Sequence, residues 1–331
     1  MTKQILDDDI DYREEKSPRK TKFRRLLKFY LLPGWRDDQF SEQEYEIEKI
    51  KSKRRLFRRF LTPLTITGLL MLLFLIILAV YSPWLTIYKL QEVTLPYMPP
   101  GGDPFGPPSA VHPLGTTKYG YDILARIIWG ARTTLTIAIF PVALSIGVGS
   151  ILGTISAYAG GPIDYIIMRF VDLMYSIPML ILVIILVPIM GQDLLTTLVL
   201  FGILYIPYNI RFMRALVLQV KELLYVRAAK TSGALKFRLM FKHIVPNAIS
   251  PIIISFFGGA AFSILGLAGL AFIGMGDPTV ANWGVDINWA RASFTTFLAA
   301  FWPGLFLGIA TIGFMLLGDG IRDAIDPRLH I

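Results

Sequence analysis

Six long apolar stretches alternate with polar segments along this chain, at about 63–81, 133–157, 163–189, 194–215, 248–272 and 297–318. About 20 apolar residues in helical conformation cross a bilayer core of roughly 30 Å, so the pattern predicts an all-α membrane protein with six transmembrane helices. In the second stretch Gly149 and Gly153 stand four apart, a spacing that lets two helices approach closely in lipid. Pro178, Pro188 and Pro207 fall inside apolar stretches, where each removes a backbone donor and kinks or breaks its helix. Asp164, Arg169 and Asp172 gather at the start of the third stretch and are expected to anchor it at a membrane interface. The last two stretches are rich in glycine and alanine and hold no ionisable residue before Asp319. A proton- or sodium-driven carrier usually needs carboxylates near mid-membrane, and these two stretches offer none.

The polar segment between the fourth and fifth stretches, 216–247, has an organisation of its own. From Lys221 to Ser232 good helix formers dominate, and Gly233 follows where a left-handed cap commonly ends a helix. Ala228 and Ala229 carry no bulk, so another surface can come close to this backbone. Beyond Gly233, Leu235, Phe237, Leu239, Met240 and Phe241 interleave with Lys236, Arg238 and Lys242, giving one apolar and one basic side. His243 closes this stretch, and Pro246 is expected to set the turn into the next span. Two readings remain open on these features: a docking element for another protein, or an amphipathic linker resting on lipid headgroups.

Composition agrees with the pattern. Of 331 residues 54% are hydrophobic and 17% charged, and the mean hydropathy is +0.55. The formal charge of +9 sits beside apolar spans, which points to the inner leaflet of a membrane rather than to nucleic acid. From Arg211 to Lys242 there are eight positive residues (Arg211, Arg214, Lys221, Arg227, Lys230, Lys236, Arg238, Lys242) against the single acid Glu222. From 82 to 132 only Lys89, Lys118, Arg126 and Arg132 are positive. With the basic cluster Lys51, Lys53, Arg54, Arg55, Arg58 and Arg59 just before the first span, the positive-inside rule places both termini and the 216–247 loop in the cytoplasm, and the Pro- and Gly-rich loop 82–118 outside.

Two parts follow: a polar N-terminal tail, 1–61, and a transmembrane domain, 62–331. No cleavable signal peptide is expected, since the first apolar run comes late and no small-residue cleavage site follows it. Within the tail, residues 22–32 have the make-up of a membrane-surface helix or of a solvated one. Cysteine is absent, and the three histidines, His112, His243 and His330, are far apart, so neither a disulfide framework nor a metal site is expected. There is no Gly-Lys pair on which to build a phosphate-binding loop, no GxSxG and no HExxH. The chain is expected to be no enzyme, with no catalytic residues and no cofactor of its own.

Four stretches carry a family resemblance. Arg227-Ala228-Ala229, then Gly233 as the seventh residue from Arg227 and Pro246 as the twentieth, is similar to the cytoplasmic Glu-Ala-Ala…Gly…Leu-Pro motif of ABC importer permeases, with Arg227 where that family usually has Glu. His112-Pro113-Leu114-Gly115-Thr116 followed by Gly120-Tyr121-Asp122 resembles the entry signature of the oligopeptide and dipeptide branch, with Thr117 and Tyr121 replacing its Asp and Arg. Phe272-Ile273-Gly274-Met275-Gly276 with Asn282-Trp283-Gly284, and Leu316-Leu317-Gly318-Asp319 with Arg322-Asp323 and Asp326-Pro327-Arg328, resemble later segments of the same branch. A Glu often found before the third of these is missing from Ala260 to Gly276.

The resemblance implies a type I ABC importer permease with a cytoplasmic coupling helix between spans four and five. Arg227, Ala228, Ala229, Lys230, Gly233, His243 and Pro246 would be the residues meeting the ATPase. It implies a sister permease, two ABC ATPase subunits that hold the ATP and Mg, an extracellular solute-binding protein, and import of oligopeptides or dipeptides by alternating access in the cell membrane. Oligosaccharides and metal chelates are the alternative cargoes within the family. An ATP-independent channel or secondary carrier, using the basic loop as a lipid anchor, is the alternative outside it.

Overall fold

The computed structural model describes residues 62–97, 99, 103–292 and 297–325. The N-terminal tail to residue 61, with its expected surface helix at 22–32, lies outside the described residues, as do Asp326, Pro327 and Arg328.

Helix α1 spans Pro63–Leu85. Thr62 caps it by accepting the Thr65 N–H at 3.2 Å, and Pro63 takes the first position, where a missing N–H costs nothing. After a short 3-10 turn at Leu90–Val93 an irregular loop leads to α2, Ile123–Ala159, a helix of 37 residues. This helix starts ten residues before the second apolar stretch, expected from about 133, and takes in the polar residues ahead of it. Asp122 is its N-cap, accepting the Ala125 N–H at 2.7 Å, and so is not free to pair with Arg126 or Arg132.

The third apolar stretch is broken at Pro178, where the sequence leads one to expect a kink or break. It forms two helices, α3 (Gly161–Tyr175) and α4 (Met179–Met190), bent by 81° at their junction. Pro178 is the cause: it has no N–H for a continuing helix, and it disfavours helical backbone at Ile177 before it. Helix α5, Leu194–Val220, starts on the capping carboxylate of Asp193 and carries Pro207 within it. Then come α6 (Leu224–Thr231) and the single turn α7 (Lys236–Arg238).

The chain was expected to turn at Pro246, but it stays helical from α7 through a π-type turn at Leu239–Ile244 and a 3-10 turn at Val245–Ala248 into α8, Ile249–Leu270. In the widened turn the Val245 N–H reaches back to the Met240 carbonyl. Pro246, coming next, sits in the first turn of the 3-10 segment, where the lack of an N–H is tolerated. A second π-type turn at Ala271–Met275 ends this run, followed by the short α9 (Trp283–Ala290) and α10 (Phe297–Ile325). Among the described residues there is no strand. Among the described residues, five helical runs are long and apolar enough to cross a membrane, and six if α3 and α4 together make one span.

Helix α2 is the element the others pack on, touching α1, α5, α8 and α10. Its two spaced glycines explain the closest contact: a Cβ on Gly149 would stand 2.4 Å from the Asn209 Cβ, and one on Gly153 2.6 Å from the Ile210 carbonyl oxygen, both on α5. Gly147, on another side of α2, faces open space. Gly149→Ala and Gly153→Ala should therefore each destabilise the detergent-solubilised protein by about 1–3 kcal/mol through overpacking. Gly147→Ala should leave the midpoint of thermal unfolding nearly unchanged, and equal effects at the three positions would contradict the packing described.

Candidate docking interface

The segment from Lys221 to Pro246 forms an arm held to the bundle at a few points and open elsewhere. In α6 only Val226 is buried. With Leu239 and Ile244 from the second half of the arm it packs on Ala157 at the end of α2, Met213 and Val217 in α5, and Ala248 before α8. Lys221 extends its ammonium to the Ala157 carbonyl at 3.1 Å, placing a cation on the last turn of α2, where the helix dipole favours one.

Gly233 ends α6 as its position in the sequence predicts. Its φ is +82°, its N–H donates to the Lys230 carbonyl at 3.1 Å, and the Ala234 N–H reaches the Ala229 carbonyl at 3.2 Å. The Ala228 carbonyl takes the Ser232 N–H at 3.0 Å and both neighbouring hydroxyls, so the polar groups at this helix end are satisfied within the arm.

The outer side of the arm is unusually apolar for a basic segment. Leu224 is 83% exposed, Leu235 77% and Phe237 73%, and the Phe237 and Phe241 rings pair at 4.6 Å. Of the residues expected at the docking surface, Arg227, Ala228, Lys230, Gly233 and Pro246 are exposed, His243 is half-buried, and Ala229 packs inward against the cluster of Val226, Leu239 and Ile244. Arg227 pairs with Glu222 within the arm, which holds the Glu222 carboxyl below its usual range. Both side chains are mostly solvent-exposed, so this pair adds little to stability.

Two further ion pairs near the arm had no signal in the local sequence, because the partners lie 50 and 39 residues apart. Arg214 grips Asp164 in a two-point contact, 2.7 Å at each nitrogen, and Ser156 adds a hydroxyl at 2.5 Å. Arg211 reaches Asp172 at 2.6 Å while its guanidinium lies over the Tyr175 ring at 4.4 Å. These contacts fasten α3 to α5.

At the opposite end of the bundle the sequence-selected residues fold the loop before α2. His112 bonds Asp122 at 3.2 Å, and Thr116 accepts the Gly106 N–H and donates to the Asp103 carbonyl, each at 2.6 Å. Arg126 is fully buried, pairs with Asp286 of α9 at 2.5 Å, and reaches the Val93 carbonyl. Trp289 lies over its guanidinium at 4.6 Å and Tyr121 at 5.4 Å. Burial pushes the Asp286 carboxyl up, against the pull of Arg126. Arg132 donates to the Ala79 carbonyl of α1 at 3.3 and 3.1 Å. Among the described residues no group of three or more His, Asp and Glu is placed to hold a metal ion.

Comparison with known proteins decides the family. A model of the binding-protein-dependent transport system inner membrane component matches residues 145–331. A probable D,D-dipeptide transport system permease protein of Escherichia coli strain K12 is 34% identical over 81% of this chain and 88% of its own length. A dipeptide transport system permease protein of Bacillus subtilis strain 168 is 34% identical over 81% of this chain and 82% of its own. A glutathione transport system permease protein of Pectobacterium atrosepticum is 37% identical over 67% of this chain and 74% of its own.

The chain belongs to this family of transport permeases.

The matched region of the permease takes in the whole arm, from α5 through Pro246. The described helices, several of them apolar enough to span, agree with an inner-membrane component. The arm's geometry makes a local test possible. A β-branched residue at φ +82° costs on the order of 1–3 kcal/mol, so Gly233→Val should loosen the end of α6 in the permease. Hydrogen exchange at the amides of Ser232, Gly233 and Ala234 should speed up, whereas Gly233→Asn, which tolerates that conformation, should stay close to the native rate.

Proposed function

We propose that this permease is one of two membrane-spanning subunits of an ATP-driven importer, and that the Lys221–Pro246 arm is where an ATPase subunit docks. The observation that carries the docking reading is the pairing of a fixed inner side with an exposed apolar outer side. Val226, Leu239 and Ile244 hold the arm to three spans, while Leu224, Leu235 and Phe237 face outward together with Arg227. A lipid-resting linker would need only its apolar side in contact with the membrane. A surface of small Ala228, exposed leucines and phenylalanines and interspersed cations on a firm backing suits a protein groove as well as any lipid surface, and the family resemblance favours the groove.

The excess of positive residues from Arg211 to Lys242 supports a cytoplasmic location for this arm, and with it for both chain termini. A sister permease completes the pore, two ATPases supply ATP and Mg, and an extracellular binding protein delivers the solute. Cycles of ATP binding move the arm, and the helix bundles rock between inward- and outward-open states. Peptides are the cargo class this reading favours, because the relatives named above are dipeptide, D,D-dipeptide and glutathione transport proteins. Oligosaccharides and metal chelates are the rival cargoes.

The test uses the five-component complex reconstituted in vesicles. ATP hydrolysis and uptake should rise together when the binding protein is loaded from a pool of short peptides, and not from a pool of oligosaccharides. Ala228→Trp adds bulk at an exposed site on the arm. It should leave the permease in the membrane at normal level and lower uptake by roughly tenfold, the effect of about 1.4 kcal/mol lost at a docking surface. Normal uptake by Ala228→Trp at equal expression would overturn the docking role, and a permease that binds no ATPase would overturn the importer.

A further inference from the structure

The exposed surface of the bundle is not of one kind. From Leu69 to Val80 every exposed side chain of α1 is apolar, Leu69, Leu70, Leu73, Phe74, Ile76 and Ile77 among them, as a surface against hydrocarbon must be. Helix α5 is different. Beside its contact with Gly149 and Gly153 it carries Phe201, Tyr205, Tyr208 and Phe212, whose rings stack one on the next at 6.5, 5.0 and 6.4 Å. Phe262 of α8 stacks on Tyr205 at 5.6 Å. Tyr175 stands at the 81° break between α3 and α4, held by Arg211.

Tyr208 is 44% exposed, Tyr175 47%, and the Arg211–Asp172 pair is about half exposed on both sides. Tyr205 and Tyr208 lie near the middle of the 27-residue span α5. Phenolic hydroxyls at that depth are costly against lipid tails, and such groups are normally turned towards a bundle interior or a watery cavity. A tightly packed helix interface in a membrane favours small residues that let backbones approach. This side of α5 presents large rings that do not suit close helix packing, and tyrosine hydroxyls that do not suit lipid tails. The break after Tyr175 interrupts a helix nearby, and irregular backbone at membrane depth is tolerated where it lines a cavity.

We propose that the α5 ring stack Tyr205, Tyr208 and Phe212, with Phe262 and Tyr175 beside it, lines the water-filled passage through which the cargo peptide moves. This rests on the importer reading above and names residues for it. Flat aromatic faces accept side chains and amide planes of any sequence, and the tyrosine hydroxyls offer hydrogen bonds to peptide backbone, so the surface suits a cargo of varied side chains that must slide rather than lodge.

The chain has no cysteine, so single cysteine variants can be read without background from its own residues. Tyr208→Cys and Phe212→Cys would be compared with Leu70→Cys and Leu73→Cys of α1, each in the assembled complex and each checked for assembly. The probe is a charged, membrane-impermeant methanethiosulfonate reagent, which reacts with thiolate in water; modification is read as the mass shift of this chain. Reaction at positions 208 and 212 should be roughly tenfold or more faster than at 70 and 73, and should slow when the complex turns over ATP with a peptide-loaded binding protein. Reaction at 208 and 212 as slow as at 70 and 73 would overturn the proposal, since those rings would then be covered by lipid or by another subunit. Fast reaction that a transported peptide leaves unchanged would overturn the role in cargo passage. Uptake of the peptide by the unmodified complex is measured beside it: absence of uptake counts against the peptide importer itself, while the reactivity at 208 reports the watery lining on its own.

Discussion

A carbonyl oxygen that loses its helical donor to a proline needs another partner, and two such oxygens, both at contacts with α2, find theirs across a helix–helix contact. Pro83 cannot donate to the Ala79 carbonyl, and Pro141 cannot donate to the Ile137 carbonyl. The first is taken by the guanidinium of Arg132 on α2, with the Ser82 hydroxyl at 3.1 Å. The second is taken by the Ser263 hydroxyl of α8 at 2.6 Å. Each defect in one helix is thus repaired by a side chain, and in both cases a neighbouring helix supplies it. Interhelical bonds of this kind contribute on the order of 1 kcal/mol each, but leaving the oxygen unpaired in lipid would cost several. These two bonds therefore help hold α1 and α8 against α2.

With α1 and α8 tied to α2 in this way, the two glycines at 149 and 153 bring α5 against another side of it, and the Asn209 side chain bonds Ser145 at 3.1 Å across that contact. Charges then close the two ends. Arg126 with Asp286 joins the start of α2 to α9, and Arg214 with Asp164 joins the end of α5 to α3. The first pair is sealed from solvent and the second is partly open. Losing one partner of the sealed pair would strand a buried charge, whereas the open pair is eased by water. The end with Arg126 is on this account the stiffer in its polar contacts, and the end that carries the arm is the softer.

Much of this could be read from the chain, for reasons that differ by element. Apolar length located five of the six stretches as single long helices, since a bilayer imposes one thickness on every crossing helix. The close glycine contact was legible because its spacing is local, and so was the Gly233 cap, because only a few residues suit a positive φ. What the sequence did not disclose depends on residues far apart. Asp122 looks free to pair with Arg126, and only the fold reveals that it caps α2 while Arg126 turns to an acid 160 positions away. The break at Pro178 could be expected from a proline inside an apolar stretch, whereas the unbroken helix through Pro246 could not. Both prolines remove one donor, but the first meets a full bend while the second follows a π-type turn that has already shifted the bonding register. A proline's local chemistry is fixed, and its consequence depends on the turn that precedes it.

The arm's proposed role depends on the same connections. Val226, Leu239 and Ile244 rest on residues of α2 and α5 and on the lead into α8, so a force applied to the arm reaches three spans together rather than one. The continuous helix from α7 through Pro246 into α8 matters here: a flexible turn at that point would absorb a displacement that a helical run carries onward. Lys221 on the Ala157 carbonyl gives a further polar hold on α2. Since α2 is joined to α1 through Ala79 and to α8 through Ile137, motion of the arm is expected to carry these helices as a group. The face of α5 with its stacked rings would then move relative to whatever stands across the passage, which is the motion alternating access requires.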